Sequence, residues 1–241
     1  MEPLIIQWNA NGLGQRAKLG ELERLLNKYN PMCICTQHVG KANIQIKNYK
    51  LAMQSSTGNG ELGTAIYVHS KATYDTLKVN SSSFQPSAIA LNIPGAQKLN
   101  ILNMYNQPSF HYNLNELKGL VKSISHPKLV LGDMNSHSPI WNARCKKADR
   151  GGMKIEELMQ EDNLECLNEE NETTFYSNIH STKTSIDIAM CSTRVRENYE
   201  WHVLEDTYTS DHNPVVITVN TMSPPNEPNI RFLTNQADWV N

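Results

Sequence analysis

Two short stretches carry residues that can do chemistry together. Gly132-Asp133-Met134-Asn135-Ser136 follows the apolar run Lys128-Leu129-Val130-Leu131, and Ser210-Asp211-His212-Asn213-Pro214 precedes Val215-Val216-Ile217-Thr218-Val219. The first reads as a buried strand delivering Asp133 and Asn135 at its C-terminal end. The second presents Asp211 and His212 at the start of another strand. In layered α/β proteins, strand ends hand side chains to a cleft. An Asp beside a His, with a second Asp and an Asn far off in sequence, suits metal-assisted phosphodiester cleavage. One carboxylate activates water, one group holds the cation, and an imidazole meets charge developing on the phosphate. Each piece also fits an ordinary role: Gly-Asp-x-Asn as a turn, Asp211 as a cap, His212 as a surface histidine. The joint pattern is what points to a site.

The elements that must position these residues follow from periodicity. Leu4 to Trp8 reads as a strand opening into the loop Asn9-Ala10-Asn11-Gly12, where the two Asn serve either turn geometry or a phosphate or metal site. Leu22, Leu25, Leu26 and Tyr29 recur at helical spacing over Gln15 to Tyr29, and Asn30-Pro31 ends that helix. Met32 to Cys35 is a buried strand with Thr36-Gln37-His38 at its end. This βαβ-like opening places the first two strand ends on one side of the molecule. Further strands are expected over Tyr49 to Met53, Thr64 to His69, Leu164 to Leu167, Thr173 to Ser177, Ser185 to Met190 and Val203 to Asp206. Ser55 to Gly60 reads as a polar loop. Ala88 to Ile93 and Leu99 to Tyr105 form a hairpin across Pro94-Gly95, placing Tyr105 at a strand exit as a rim aromatic or a site phenol. Leu114 to Ile124 is a second amphipathic helix, and Ile155, Leu158 and Met159 mark a third. Between them, Pro139 to Gly152 is a polar loop holding Arg144, Lys146, Lys147 and Arg150, a solvated surface or a phosphate-contacting rim. Asp187 interrupts an apolar strand, so a buried partner is expected, and an imidazole fits. Many short strands with three helices suggest two mixed sheets with helices outside.

Composition sets the bounds. A chain of 241 residues is long enough for a sizeable core, and a net charge of -2 argues against holding nucleic acid by a strong basic field. Five scattered cysteines make no disulfide framework, and Cys33 and Cys35 read as small core residues. No run reaches transmembrane length, so neither a membrane partner nor secretion is expected. Residues 221 to 241 are rich in Pro, Ser and Asn at their start and read as a linker after a domain spanning 1 to 220.

The ordered series Asn9, Asn11, Gln37, Tyr105, Asp133, Asn135, Asp187, Asp211 and His212 resembles the endonuclease/exonuclease/phosphatase superfamily. More narrowly, Trp8-Asn9-Ala10-Asn11-Gly12, Gly132-Asp133-Met134-Asn135-Ser136-His137, Asp149-Arg150-Gly151-Gly152, Ser185-Ile186-Asp187 and Ser210-Asp211-His212-Asn213-Pro214 resemble the endonuclease domain of non-LTR retrotransposons of the jockey and I-element groups. The likeness runs from about residue 4 to 220, and the tail through Ala237-Asp238-Trp239 resembles the connector before such elements' reverse transcriptase.

The resemblance implies an α/β, four-layer sandwich of the DNase I type, two mixed β-sheets flanked by helices. It implies Mg²⁺-dependent nicking, with Mn²⁺ as a substitute, of double-stranded DNA in the nucleus. The nick would prime reverse transcription by a polyprotein holding a reverse transcriptase. Asp133 would position or deprotonate water, Asn135 and Asn9 would hold phosphate and nucleophile, and His212 would contact the scissile phosphate with Asp187 fixing its tautomer. Tyr105 would bond the phosphate, and Asp211 and Asn11 would sit near the metal. Gln37 departs from the pattern, which has a metal-binding Glu at the end of the second strand. No carboxylate lies between Arg24 and Gly60 to replace it. Mg²⁺ prefers charged oxygen ligands, so weaker metal binding and slower or absent nicking are expected. The rival readings are a relic or domesticated domain acting in binding only, and a hydrolase of small phosphate monoesters.

Overall fold

The computed structural model describes residues 2–40, 44–55, 63–108, 112–177 and 181–220. The expected loop through Gly60 and the expected linker from residue 221 lie outside the described residues.

Strand alternation builds the molecule. In β1 (Leu4–Asn9), Ile5 faces one apolar cluster while Ile6 and Trp8 face another, as a two-residue period requires. β1 runs parallel to β2 (Cys33–Gln37) through α1 (Arg16–Tyr29), the βαβ opening that the sequence predicts. α1 ends at Asn30, whose left-handed backbone (φ 46°) precedes Pro31. The first sheet is completed by β3 (Tyr49–Ser55), β4 (Thr64–His69), β13 (Tyr199–Val203) and β14 (Val215–Val219), in the order β13-β14-β1-β2-β4-β3.

The second sheet has the order β5-β6-β7-β8-β12-β9. Its strands are β5 (Tyr74–Thr76), β6 (Ser87–Leu91), β7 (Leu99–Tyr105), β8 (Lys128–Asp133), β9 (Leu164–Cys166) and β12 (Asp187–Ser192). β6 and β7 form the expected hairpin, and β7 runs parallel to β8 through α2 (Leu114–Lys122). A separate ribbon, β10 (Phe175–Ser177) with β11 (Thr182–Thr184), stands outside both sheets. α3 spans Arg150–Glu161.

Three apolar clusters separate four layers. Ile5, Cys33, Cys35, Leu129, Leu131 and Ala189 pack between the sheets. Leu22, Leu25 and Leu26 of α1 cover the outer face of the first sheet, against Ile6, Trp8 and Ile34. Leu117, Val121, Ile155 and Leu158 of α2 and α3 cover the second, against Val130 and Ile188. Among the described residues, no helix is long and apolar enough to cross a membrane.

Two expectations need correction. The strand predicted over Val203 to Asp206 instead lies at Tyr199–Val203, and beyond it Asp206 accepts the Tyr208 amide and caps a turn. The basic loop predicted to Gly152 stops earlier, because Asp149 caps α3 and Arg150 is already helical. β5 and β11, three residues each, are too short to show a period.

Candidate active site at the sheet ends

The strand registers align the site. Asn9 pairs with Gln37 in the first sheet, and in the second Tyr105 pairs with Asp133, which pairs with Asp187. Alternation turns these side chains toward the space between the sheets, one step beyond the apolar residues Cys35, Leu131 and Ala189. The polar groups therefore meet where the inter-sheet core ends.

Their arrangement is specific. Asn9 Nδ2 donates to Asp133 Oδ2 at 2.7 Å, while Asn9 Oδ1 accepts the Asn11 amide at 3.0 Å. Asn11 Nδ2 donates to Asp211 Oδ1 at 3.0 Å. His212 Nδ1 lies 2.8 Å from Asp187 Oδ2, and Nε2 lies 3.9 Å from Asp133 Oδ2. The partner expected for buried Asp187 is thus His212. The Asn135 amide donates to Asp133 Oδ1 at 3.1 Å, and its side chain donates to the Asn106 carbonyl at 2.8 Å. A cleft of about 240 Å³ is lined by Asn9, Asn11, Tyr105, Asp133, Asp211 and His212 among others. Asp187 lies beneath, nearly fully buried.

Electrostatics set the protonation states. Burial pushes Asp133 up to about 7, assisted by the nearby Asp187 charge and opposed by His212, Asn9 and the Asn135 amide. Burial opposes a charged His212, but the attraction and hydrogen bond of Asp187, with Asp133 and Asp211, raise it to about 9. Tyr105 is pushed above the usual phenol range, first by burial and then by the three Asp carboxylates.

Gly132 makes this geometry possible. Its φ is +147°, and a Cβ there would fall 1.9 Å from the Met104 carbonyl oxygen of the neighbouring strand. The glycines of Asp149-Arg150-Gly151-Gly152 serve a similar closeness. A Cβ on Gly152 would fall 2.0 Å from the His137 carbonyl oxygen, so the start of α3 rests directly on the loop after β8. Asp149 locks that contact by accepting from Gly152 N at 2.6 Å and His137 N at 3.0 Å.

Gln37 behaves differently from its neighbours. It faces inward with Asn9 but is fully buried, and Nε2 donates to Asn103 Oδ1 at 2.6 Å. Asn103 Nδ2 donates to the Thr36 and Ala65 carbonyls, which fixes its oxygen toward Gln37 and so fixes the Gln37 amide. Among the described residues, Gln37 Oε1 is left buried without a hydrogen-bond partner. A hard divalent cation takes oxygen ligands. The Asp211 carboxylate and the amide oxygens of Asn11 and Gln37 fit such an ion in kind, with one full negative charge among them. Asp133, Asp187 and His212, whose ligand atoms lie within 4.8 Å of one another, can also hold a metal.

Of the four basic residues expected at a rim, Arg150 lines a second cavity of about 210 Å³, which shares Asn135 with the cleft. Arg144, Lys146 and Lys147 are exposed on the preceding loop. Lys154, also lining that cavity, escaped the sequence reading, although it sits one turn after Arg150. So did Phe175, whose ring centroid lies 4.7 Å from that of His212, and Thr174, whose hydroxyl accepts the Asp187 amide at 3.2 Å. His38, its ring 6.1 Å from Tyr105 and nearly parallel to it, joins the cleft.

Two sheets flanked by helices, with carboxylates, amides and a histidine at their joined ends, define a DNase I-like domain. The family described as "Endonuclease-reverse transcriptase" matches residues 99–216. A Drosophila melanogaster protein, "Probable RNA-directed DNA polymerase from transposon BS", is 25% identical over 251 aligned residues, covering 100% of this chain and 27% of that protein. The chain therefore spans about a quarter of that relative's length. The endonuclease domain of TRAS1, a telomere-specific non-LTR retrotransposon, superposes with TM-score 0.77 at 18% identity, covering 92% of this chain and 100% of that one. An AP endonuclease from Archaeoglobus fulgidus superposes with TM-score 0.67 at 16% identity, covering 90% and 99%. Residues 99–216 thus match an endonuclease-reverse transcriptase family, and the whole chain has the fold of DNase I-like endonucleases and is similar to proteins of non-LTR retrotransposons.

Proposed function

We propose that this domain nicks one strand of double-stranded DNA, leaving a 3′-hydroxyl from which a reverse transcriptase in the same polyprotein extends in the nucleus. The observation that carries the reading is the buried Asp187–His212 pair beside Asp133, with Asn9 bonded to Asp133. That set matches the needs of phosphodiester hydrolysis. Asp133 orients water and takes its proton. Water oxygen bonds to phosphorus, the bond to O3′ breaks, and the departing O3′ takes a proton from solvent to become the 3′-hydroxyl. His212, kept charged by Asp187, faces the negative charge that gathers on the phosphate. Asn9 holds Asp133 in place, and Asn135 and Tyr105 border the same cleft as donors to phosphate oxygens. Asp211, Asn11 and Gln37 would hold Mg²⁺ or Mn²⁺, which neutralises phosphate charge when bound. Arg150, with Arg144, Lys146 and Lys147, would meet flanking phosphates.

The test is nicking of supercoiled plasmid with Mg²⁺ or Mn²⁺, comparing the parent with Asp133→Ala and offering nucleotide and lipid monoesters in parallel. Nicking lost in Asp133→Ala supports the reading; turnover of monoesters alone overturns it. A second reading, a domain that binds DNA without cutting it, is favoured by one observation. The Gln37 amide is committed to Asn103 where a carboxylate ligand is expected. Plasmid binding without nicking in the parent would favour it.

A further inference from the structure

One charged group near the site has no part in the roles above. Lys18 lies on the α1 face that otherwise carries Leu22, Leu25 and Leu26, and it is 8% exposed. Its Nζ donates to the carbonyl of Thr209, 191 positions away. Thr209 and Tyr208 both hold left-handed backbone, φ 62° and 51°, and lead directly into Ser210-Asp211-His212. The ammonium is thus anchored under the loop that presents Asp211. Burial lowers Lys18 from its usual value, and Asp211 is the first carboxylate pulling it back. His38, in the cleft, feels both Asp211 and Lys18.

The charge count at this end of the cleft is unusual. Asp211 is the single carboxylate among Asn11, Gln37 and Asp211, and Lys18 offsets its charge before any ion arrives. A divalent cation entering there meets, besides Asp133 and His212 deeper in the cleft, a fixed positive charge at Lys18 and the half-buried Asp211 carboxylate.

We propose that Lys18 is a positioning residue that supplies fixed positive charge beside Asp211, partly replacing a divalent cation and holding the affinity for that cation low. The proposal rests on the metal assignment made above to Asn11, Gln37 and Asp211. Its geometric basis is the Lys18–Thr209 hydrogen bond together with the neutral amide at Gln37.

The experiment is Mn²⁺ binding to the full chain without DNA, read from the electron paramagnetic resonance of free Mn²⁺. Parent, Lys18→Met, Lys18→Arg, Gln37→Glu and the Lys18→Met/Gln37→Glu double variant are compared, with circular dichroism confirming the fold. Lys18→Met is expected to bind Mn²⁺ about tenfold more tightly, whether it is made in the parent or on top of Gln37→Glu, and Lys18→Arg to match the parent. A Lys18 that only tethers the loop would lower the thermal midpoint in Lys18→Met and leave Mn²⁺ affinity unchanged or weaker, which overturns the proposal. Mn²⁺ binding by none of the five proteins overturns it too. Plasmid nicking separates the two ideas. Nicking by the parent with no Lys18 effect on Mn²⁺ removes the Lys18 proposal alone. A tenfold Mn²⁺ effect with no nicking removes the nuclease reading and keeps Lys18.

Discussion

Asp133 and Asp187 stand directly opposite each other across the β8–β12 ladder, and His212 reaches both. The imidazole is 2.8 Å from Asp187 and 3.9 Å from Asp133. Two buried carboxylates one ladder step apart repel unless a cation lies with them, and here the cation is a protonated histidine. The same ion that makes the pair tolerable is the one proposed to face a phosphate.

Asp187→Asn keeps the shape and removes that charge. Nicking is expected to fall by about a hundredfold or more. The proposed mechanism needs Asp133 ionised and His212 protonated in the parent. Burial raises Asp133 to about 7 and Asp187 raises His212 to about 9, so the rate should climb through the first value and decline through the second. In Asp187→Asn the upper limb should move toward neutral pH. A pH profile whose upper limb stays in place removes His212 from the reaction.

Gln37→Glu tests what the buried amide does. It deletes the donor to Asn103 Oδ1 and sets an acceptor against an acceptor. A loss of about 1–3 kcal/mol is expected in chelator, seen as a lower thermal midpoint. Added Mg²⁺ should restore the midpoint in Gln37→Glu more than it raises the parent, by mass action on the folded form. Equal Mg²⁺ responses in the two proteins would show that position 37 does not reach the ion.

Gly132→Ala should damage the site from below. Its Cβ meets the Met104 carbonyl and its backbone is left-handed, so the β7–β8 ladder must part beside Asp133. The expected cost is about 3 kcal/mol by denaturant unfolding, with nicking falling in the remaining folded protein. Stability within about 0.5 kcal/mol of the parent would mean that the strands relax freely.

Glu116 gives an acid-sensitive contact away from the site. Its carboxylate accepts from the Ser82 amide at 2.6 Å and the Ser83 amide at 2.9 Å, and from the hydroxyls of Ser81 and Ser83. Burial opposes ionisation, but these donors win and hold the group down at about 2, against 4.5 when free. Because the folded value is depressed, the contact stabilises fully above the unfolded value and is lost as pH falls toward 2. The thermal midpoint gap between the parent and Glu116→Gln should therefore be wide at neutral pH and narrow steadily below about pH 4.5. A gap independent of pH would disprove the assignment.

Arg150 and Lys154 frame the cavity beside Asn135. If they meet DNA phosphates, Arg150→Ala should weaken plasmid binding across sequences and reduce the salt slope of binding by about one. An unchanged slope would place the DNA elsewhere.

Much of the frame could be read in advance from residue pattern. The alternation in Leu4 to Asn9 and Lys128 to Asp133, and the spacing of Leu22, Leu25 and Leu26, are local consequences of strand and helix periods. So is the demand of Asp187 for a partner, since a lone carboxylate in an apolar strand is costly wherever it folds. Short strands such as Tyr74–Thr76 carry too few residues to show a period. The α3 start was hidden because Asp149 reads equally well as loop or cap until His137 is seen to donate to it.

The sequence alone determined the fold class, the strand ends that bear the polar groups, and the absence of a carboxylate near Gln37. Only tertiary structure decided that His212 is the group shared by Asp133 and Asp187. It also decided that Gln37 turns its amide to Asn103 and that Lys18 anchors the loop at Thr209. The physical reason is range. A period is written within a few residues, whereas these contacts join positions 25, 66 and 191 apart, brought together by two sheets closing on one core.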